Sequence, residues 1–134
     1  MGTMKGMECK KTVVLLIEDN AEIRKLLEIL VRRLGGEPIS ATSVREAALL
    51  IMTTPMRLAF VDYLLPDGIG LALASEIKAR NPGARVVLLS ARDESVLRDD
   101  VAKAGFDSYV AKPFTLEAIA REFALSVSAA GVLA

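Results

Sequence analysis

With 134 residues and 52% hydrophobic side chains the chain has enough material for one domain with a sizeable core, and at 4% aromatics that core is aliphatic. Lysine plus arginine balances aspartate plus glutamate at 17 each, so no excess charge favours nucleic acid or a membrane surface. No apolar run approaches the ~18 residues that cross a bilayer and no secretory signal is visible; with a single cysteine, Cys9, unable to pair internally, the simplest expectation is a cytoplasmic protein.

Histidine is absent. That removes Ser-His-Asp triads, His-ligated zinc and imidazole acid–base catalysis together. Chemistry is left to carboxylates, hydroxyls and lysine.

Residues 1–11 carry no periodicity and read as a flexible leader. Val13 to Ile17 is a continuous apolar run, as in a strand buried on both faces, and it stops on Glu18-Asp19. Asn20 is placed to cap a helix. Ile23, Leu26, Leu27, Leu30, Val31 and Leu34 then fall on one helical face, which ends at Gly35-Gly36. Glu37 to Ala41 is a weaker strand, and Pro38 suits it to a sheet edge. Thr42 or Ser43 can cap a second helix with Ala47, Ala48 and Ile51 inward. Leu58 to Val61 is a third strand, ending on Asp62, and a loop with Pro66, Gly68 and Gly70 follows. Ile69 to Arg80 reads as the third helix, stopped by Asn81-Pro-Gly83. Val86 to Leu89 is a fourth strand ending on Ser90, and Asp93 or Ser95 opens a fourth helix that ends at Gly105. Ser108 to Ala111 is the fifth strand, Lys112-Pro-Phe114 the turn after it, and Thr115 caps a last helix with Leu116, Ile119, Ala120 and Phe123 inward. Residues 128–134 read as a C-terminal tail.

Five β/α units joined by short links predict a doubly wound (βα)5 fold, α/β in class, with a five-stranded parallel sheet in one domain over residues 12–127. The most apolar strands, one, three and four, belong in the centre, which gives the order 2-1-3-4-5 and a switch point between strands one and three. Glu18, Asp19 and Asp62 then flank the crevice at that switch point, with Ser90 and Lys112 on the same rim. Carboxylates so close repel one another, so their joint ionisation calls for Lys112 and a divalent cation. Mg²⁺ accepts an all-oxygen set of this kind and keeps room for phosphate oxygens. A carboxylate beside it can attack phosphorus and form an aspartyl phosphate. Any one of these residues alone is explained by helix capping or a solvated charge; their ordered occurrence at successive strand ends is not.

The segments Ile17-Glu-Asp-Asn20, Val61-Asp-Tyr-Leu-Leu-Pro-Asp-Gly-Ile-Gly70, Leu89-Ser-Ala91 and Ala104-Gly-Phe-Asp-Ser-Tyr-Val-Ala-Lys-Pro-Phe114 together resemble the receiver domain of two-component response regulators, a flavodoxin-like family. The resemblance covers about residues 12 to 127. It implies that Asp62 is the phosphoacceptor and that Asp19, Asp62 and the Leu64 backbone carbonyl ligate Mg²⁺, with Glu18 assisting partly through water and Mn²⁺ as a substitute metal. It implies further that Ser90 and Lys112 contact the phosphoryl group and that Tyr109 reorients with Ser90. A cis peptide before Pro113 belongs to the same pattern, and X-Pro bonds adopt cis at little cost. The resemblance also implies that Leu64 and Arg92 occupy positions that tune the lifetime of the aspartyl phosphate; apolar Leu64 offers an attacking water no hydrogen bond, and Arg92 is long enough to shield the site, so slow self-dephosphorylation is expected.

The implied function is a signalling switch, not an enzyme in the ordinary sense. Phosphate arrives from a sensor histidine kinase or a histidine phosphotransfer protein, and the surface of helix four, strand five and helix five changes for a downstream protein. Gly68-Ile69 and Phe106 depart from the family's commonest residues without removing a ligand. Three other classes compete. An aspartyl-nucleophile phosphohydrolase usually carries a second aspartate where Leu64 stands, and a nucleotide- or flavin-binding domain needs a glycine-rich loop where Glu18-Asp19 would repel phosphate. A phosphorylation-independent interaction module sits poorly with an intact set of acidic, hydroxyl and lysine residues.

Overall fold

The structure, a computed structural model, describes residues 11–91 and 101–133. Strands β1 (Thr12–Ile17), β2 (Gly36–Ala41), β3 (Leu58–Asp62), β4 (Arg85–Ser90) and β5 (Ser108–Ala111) form one parallel sheet in the order β2-β1-β3-β4-β5. This is the order expected from strand hydrophobicity. Helices α1 (Ala21–Arg33), α2 (Val44–Thr53), α3 (Leu73–Arg80) and α5 (Leu116–Leu133) flank it, and residues 101–104, labelled α4, are helical.

Side chains alternate across the three inner strands, and the aliphatic runs therefore feed two separate layers. Leu15, Ile17, Ala59, Val61, Val86 and Leu88 pack with Ile51 of α2, Ile77 of α3 and Val101 of α4. Val14, Leu16, Leu58, Phe60, Val87 and Leu89 pack on the other face with Leu27 and Val31 of α1 and Ile119 of α5. Each fully buried large aliphatic contributes about 1.5–3 kcal/mol, which explains why β1, β3 and β4 are the most apolar segments of the chain.

Helix ends follow local chemistry. Asn20 Oδ1 accepts from the Ile23 amide at 3.0 Å to start α1, and Gly35, with φ of 98°, turns the chain out of it. Ser43, not Thr42, caps α2, accepting from the Glu46 amide at 3.1 Å. The Glu46 carboxylate reaches back past the cap to the Thr42 amide and hydroxyl, a variation on the capping box.

Two helix boundaries differ from the sequence reading. The third helix begins at Leu73, not Ile69: Leu64–Leu65 and Gly68–Ile69 pair as a small antiparallel hairpin, and Gly70–Ala72 forms a 3-10 turn. The reason is that the chain must first close back on β3, where the Gly70 amide donates to the Tyr63 carbonyl at 2.9 Å. Asp62 and Ser90 are the residues on which β3 and β4 end, as expected. The last helix continues through Leu133, past residue 127. The leader through residue 10, Arg92 and the expected start of the fourth helix at Asp93 or Ser95 lie outside the described residues.

Two polar devices hold the far half of the sheet. Asp107 accepts from the Val86 amide and pairs with Lys78, both at 2.8 Å, and so fastens the entry of β5 to β4 and α3. Beneath α5, the buried Glu122 pairs with Arg85 at 2.6 Å. Among the described residues no helix is long and apolar enough to cross a membrane.

Candidate functional site

The parallel sheet brings the carboxyl ends of β1, β3, β4 and β5 to one rim, and the register places Ile17 beside Val61 and Asp62 beside Leu89. Glu18 and Asp19 therefore leave β1 directly beside the end of β3. One carboxylate oxygen from each of Glu18, Asp19 and Asp62 lies within 4.8 Å of the others. Glu18 and Asp62 are buried, whereas Asp19 is exposed.

Lys112, just beyond β5, crosses over to this cluster. Its Nζ lies 2.7 Å from Glu18 Oε1 and 3.2 Å from Asp62 Oδ1. Glu18 Oε2 accepts from the Asn20 amide at 3.1 Å, so both of its oxygens are engaged within the protein. Ser90 is buried at the end of β4, and its carbonyl accepts from the Lys112 amide at 2.9 Å and from the Tyr109 hydroxyl at 3.4 Å. Tyr109 packs partly buried against the layer that holds α2, α3 and α4. The Lys112–Pro113 peptide is cis.

Electrostatics at the rim are unbalanced. Burial and then the neighbouring Glu18 charge push the Asp62 carboxyl up from 3.8 to about 6, against the opposing pull of Lys112. Burial by itself would lower the Lys112 ammonium. The Glu18 hydrogen bond and the charges of Asp62 and Glu18 outweigh it, and its pKa rises above its ordinary value. One ammonium thus faces three carboxylates, and a second positive charge would relieve the excess. The donors are all hard oxygens, which fits Mg²⁺, Mn²⁺ or Ca²⁺ and not a thiophilic metal.

Of the residues singled out in the sequence, Glu18, Asp19, Asp62, Ser90, Tyr109 and Lys112 come together on this rim, and Leu64 lies in the hairpin that follows Asp62 with its side chain exposed. Arg92 falls outside the described residues. Two contributors carry no sequence signal of their own. Arg24, one turn into α1, donates to the carbonyls of Glu18 at 3.0 Å and Asp19 at 3.4 Å and holds the acidic pair's main chain. Asp67, at the hairpin tip, accepts from the amides of Val44 at 2.7 Å and Arg45 at 3.0 Å at the start of α2. Gly70 is required by contact: a Cβ there would lie 2.3 Å from the Asp62 carbonyl oxygen.

A doubly wound α/β sheet with an acidic cluster at its switch point defines the class of the molecule. Solved structures agree: a CheY-like response regulator receiver domain from Methanospirillum hungatei superposes with a TM-score of 0.82 at 20% identity, over 89% of this chain and 95% of that one. A Francisella receiver domain matches at 27% identity and TM-score 0.77, over 87% and 98%. A response regulator from Burkholderia pseudomallei, solved with a phosphorylated aspartic acid, a calcium ion and citrate, matches at 27% and TM-score 0.78, over 91% and 74%. Residues 14–124 match the family profile of the response regulator receiver domain. The chain belongs to that family and is a receiver domain of the two-component type. Among curated relatives, the response regulator protein PilR of Pseudomonas aeruginosa is 35% identical over 102 residues, 76% of this chain and 23% of PilR. The transcriptional regulatory protein PhoP of Escherichia coli is 32% identical over 106 residues, 79% of this chain and 48% of PhoP. The chain thus spans about a quarter to a half of these relatives.

Proposed function

We propose that the protein accepts a phosphoryl group on Asp62 from a phosphohistidine of a sensor histidine kinase or histidine phosphotransfer protein, in a Mg²⁺-dependent reaction. The observation that carries this reading is the convergence of Asp62, Glu18, Asp19 and Lys112 on one rim, with Asp62 bridged to Glu18 by the lysine. An Asp62 carboxylate oxygen attacks phosphorus, the phosphorus–nitrogen bond breaks, and its electron pair leaves on the imidazole, which takes a proton from solvent. Lys112 faces the oxygens of the transferring group, and the Ser90 side chain donates to one of them. Asp19, Asp62 and the Leu64 carbonyl would hold a divalent cation, with Glu18 acting partly through water because both its oxygens already have partners. When bound, the cation would supply positive charge for the phosphoryl oxygens. The Burkholderia receiver, with its phosphorylated aspartic acid and calcium ion, supports the same chemistry here.

Phosphorylation replaces a carboxylate with a group of roughly −1.5 to −2 charge. Ser90 is drawn toward it, Tyr109 follows into the vacated space, and the surface of α4, β5 and α5 changes for a downstream protein. The output is binding, and the only reactions catalysed are phosphoryl transfer and its own slow reversal by water.

The test is phosphate incorporation from a small-molecule phosphodonor or a phosphorylated kinase, with and without Mg²⁺. Wild type takes up acid-stable, base-labile label only with the metal, and Asp62→Asn takes up none. Absence of label under every condition refutes the phosphoacceptor role and leaves a phosphorylation-independent interaction module. A second expectation concerns lifetime: with Leu64 two residues after Asp62 and Arg92 two residues after Ser90 in the sequence, label chased in buffer with Mg²⁺ persists well beyond seconds, and decay within seconds contradicts it.

A further inference from the structure

The hairpin that follows Asp62 is hydrogen-bonded to its surroundings at its base and at its tip. At its base, the Gly70 amide donates to the Tyr63 carbonyl at 2.9 Å, and the Tyr63 amide donates to the Leu89 carbonyl at 3.0 Å. Between base and tip run the pairs Leu64 with Ile69 and Leu65 with Gly68, and the Leu65 side chain is buried in the layer that holds α2 and α3. A hairpin of this size is marginal by itself, and without a contact at its tip it would rest on its base and Leu65 alone. At the tip, Asp67 places one carboxylate oxygen on the Val44 amide at 2.7 Å and the other on the Arg45 amide at 3.0 Å.

Those amides are the first two of α2, which an α-helix leaves without an intrahelical acceptor. Ser43 takes the Glu46 amide and Glu46 takes the Thr42 amide, so Asp67 completes an N-terminus that Ser43 begins to close. The same two bonds tie the loop to the helix. The two amides hold the Asp67 carboxyl below its ordinary value, which keeps the bidentate acceptor ionised.

On the reading of Asp62 as phosphoacceptor, we propose that Asp67 is a positioning residue: by anchoring the hairpin tip to the start of α2, it fixes the main chain from Asp62 through Leu64 in the orientation that presents a divalent cation with its ligands. Asp67 touches neither metal nor phosphoryl group. It acts through the loop, as outer groups act when they orient metal ligands.

The experiment measures Mn²⁺ affinity, from the electron paramagnetic resonance signal of the free ion, and metal-free melting temperature for wild type, Asp67→Ala, Asp67→Asn and Ser43→Ala. Ser43→Ala removes the helix's own cap without touching the hairpin and so controls for loss of α2 stability. Asp67→Ala is expected to raise the Mn²⁺ dissociation constant about tenfold. Ser43→Ala lowers the melting temperature yet keeps the affinity within about twofold of wild type, by the same reasoning. Asp67→Asn, which keeps one carbonyl acceptor, falls between wild type and Asp67→Ala and carries the comparison where Asp67→Ala does not fold. Unchanged affinity in the Asp67 variants, or equal weakening in Ser43→Ala, overturns the proposal while leaving the phosphoacceptor reading intact. A wild type that binds no Mn²⁺ overturns both.

Discussion

At neutral pH Asp62 carries its charge against the pull of its surroundings. Its folded value, about 6, lies above its ordinary 3.8. Between those values the folded chain keeps a proton that the unfolded chain releases, so this group's contribution to stability falls as pH rises from about 4 through 6. The loss is on the order of 1–2 kcal/mol once screening by solvent at the rim is allowed for. Asp62→Asn removes the charge and is expected to raise the melting temperature of the metal-free protein above pH 6, with little effect near pH 4. Melting curves of both proteins between pH 4 and 8 check this. The difference between them isolates Asp62 from Asp67, whose lowered pKa works the other way, its stabilisation being lost as pH falls through its folded value. A variant less stable than wild type at pH 7 would mean that the attraction of Lys112 outweighs burial and Glu18.

At the level of elements, the hairpin after β3 decides how closely the site can be held. Gly70 sits against the main chain of Asp62, and a methyl group there would overlap the carbonyl oxygen. Gly70→Ala is expected to cost about 3 kcal/mol through the forced shift of the loop and to weaken divalent-metal binding with it. Urea unfolding and a Mn²⁺ titration of the same variant read the two effects. This hairpin is also where the sequence was least legible. Gly68 and Ile69 share the small-and-apolar character of the helix that follows, and Ala72, at the true start of α3, makes no side-chain cap to mark it. The inner strands β1, β3 and β4 were legible because each is an apolar run that stops on a polar residue, whereas β2 and β5 were legible mainly from the alternation of strand and helix. The rim residues were legible because each stands at the end of a strand. Asp67 was not, since its partners lie 22 and 23 positions away and only the folded loop brings them near. Glu122 was hidden for a related reason: a carboxylate one turn beyond Ile119 on the inward face of α5 makes sense only once Arg85 is seen opposite it.

For the whole molecule, metal binding and folding are linked. A ligand that binds only the folded chain stabilises it by about 2.7 kcal/mol at a hundredfold excess over its dissociation constant. Mg²⁺ is therefore expected to raise the melting temperature of wild type by several degrees and that of Asp62→Asn by much less. Scanning calorimetry with and without the metal measures this, and equal shifts in both proteins would place the ion elsewhere.

Because all five strands run in the same direction, the acidic cluster, Ser90 and Lys112 are gathered at one end of the sheet, and the connection from α3 to β4 lies at the other. Gly83 lies there, between α3 and β4, and a side chain added to it meets nothing within 4 Å. The six residues of β4 span roughly 20 Å, which separates that turn from the level of Ser90. A dye, affinity handle or surface tether attached at Gly83 would leave the acidic rim facing outward and unobstructed, so immobilised protein could meet an added phosphodonor as freely as protein in solution.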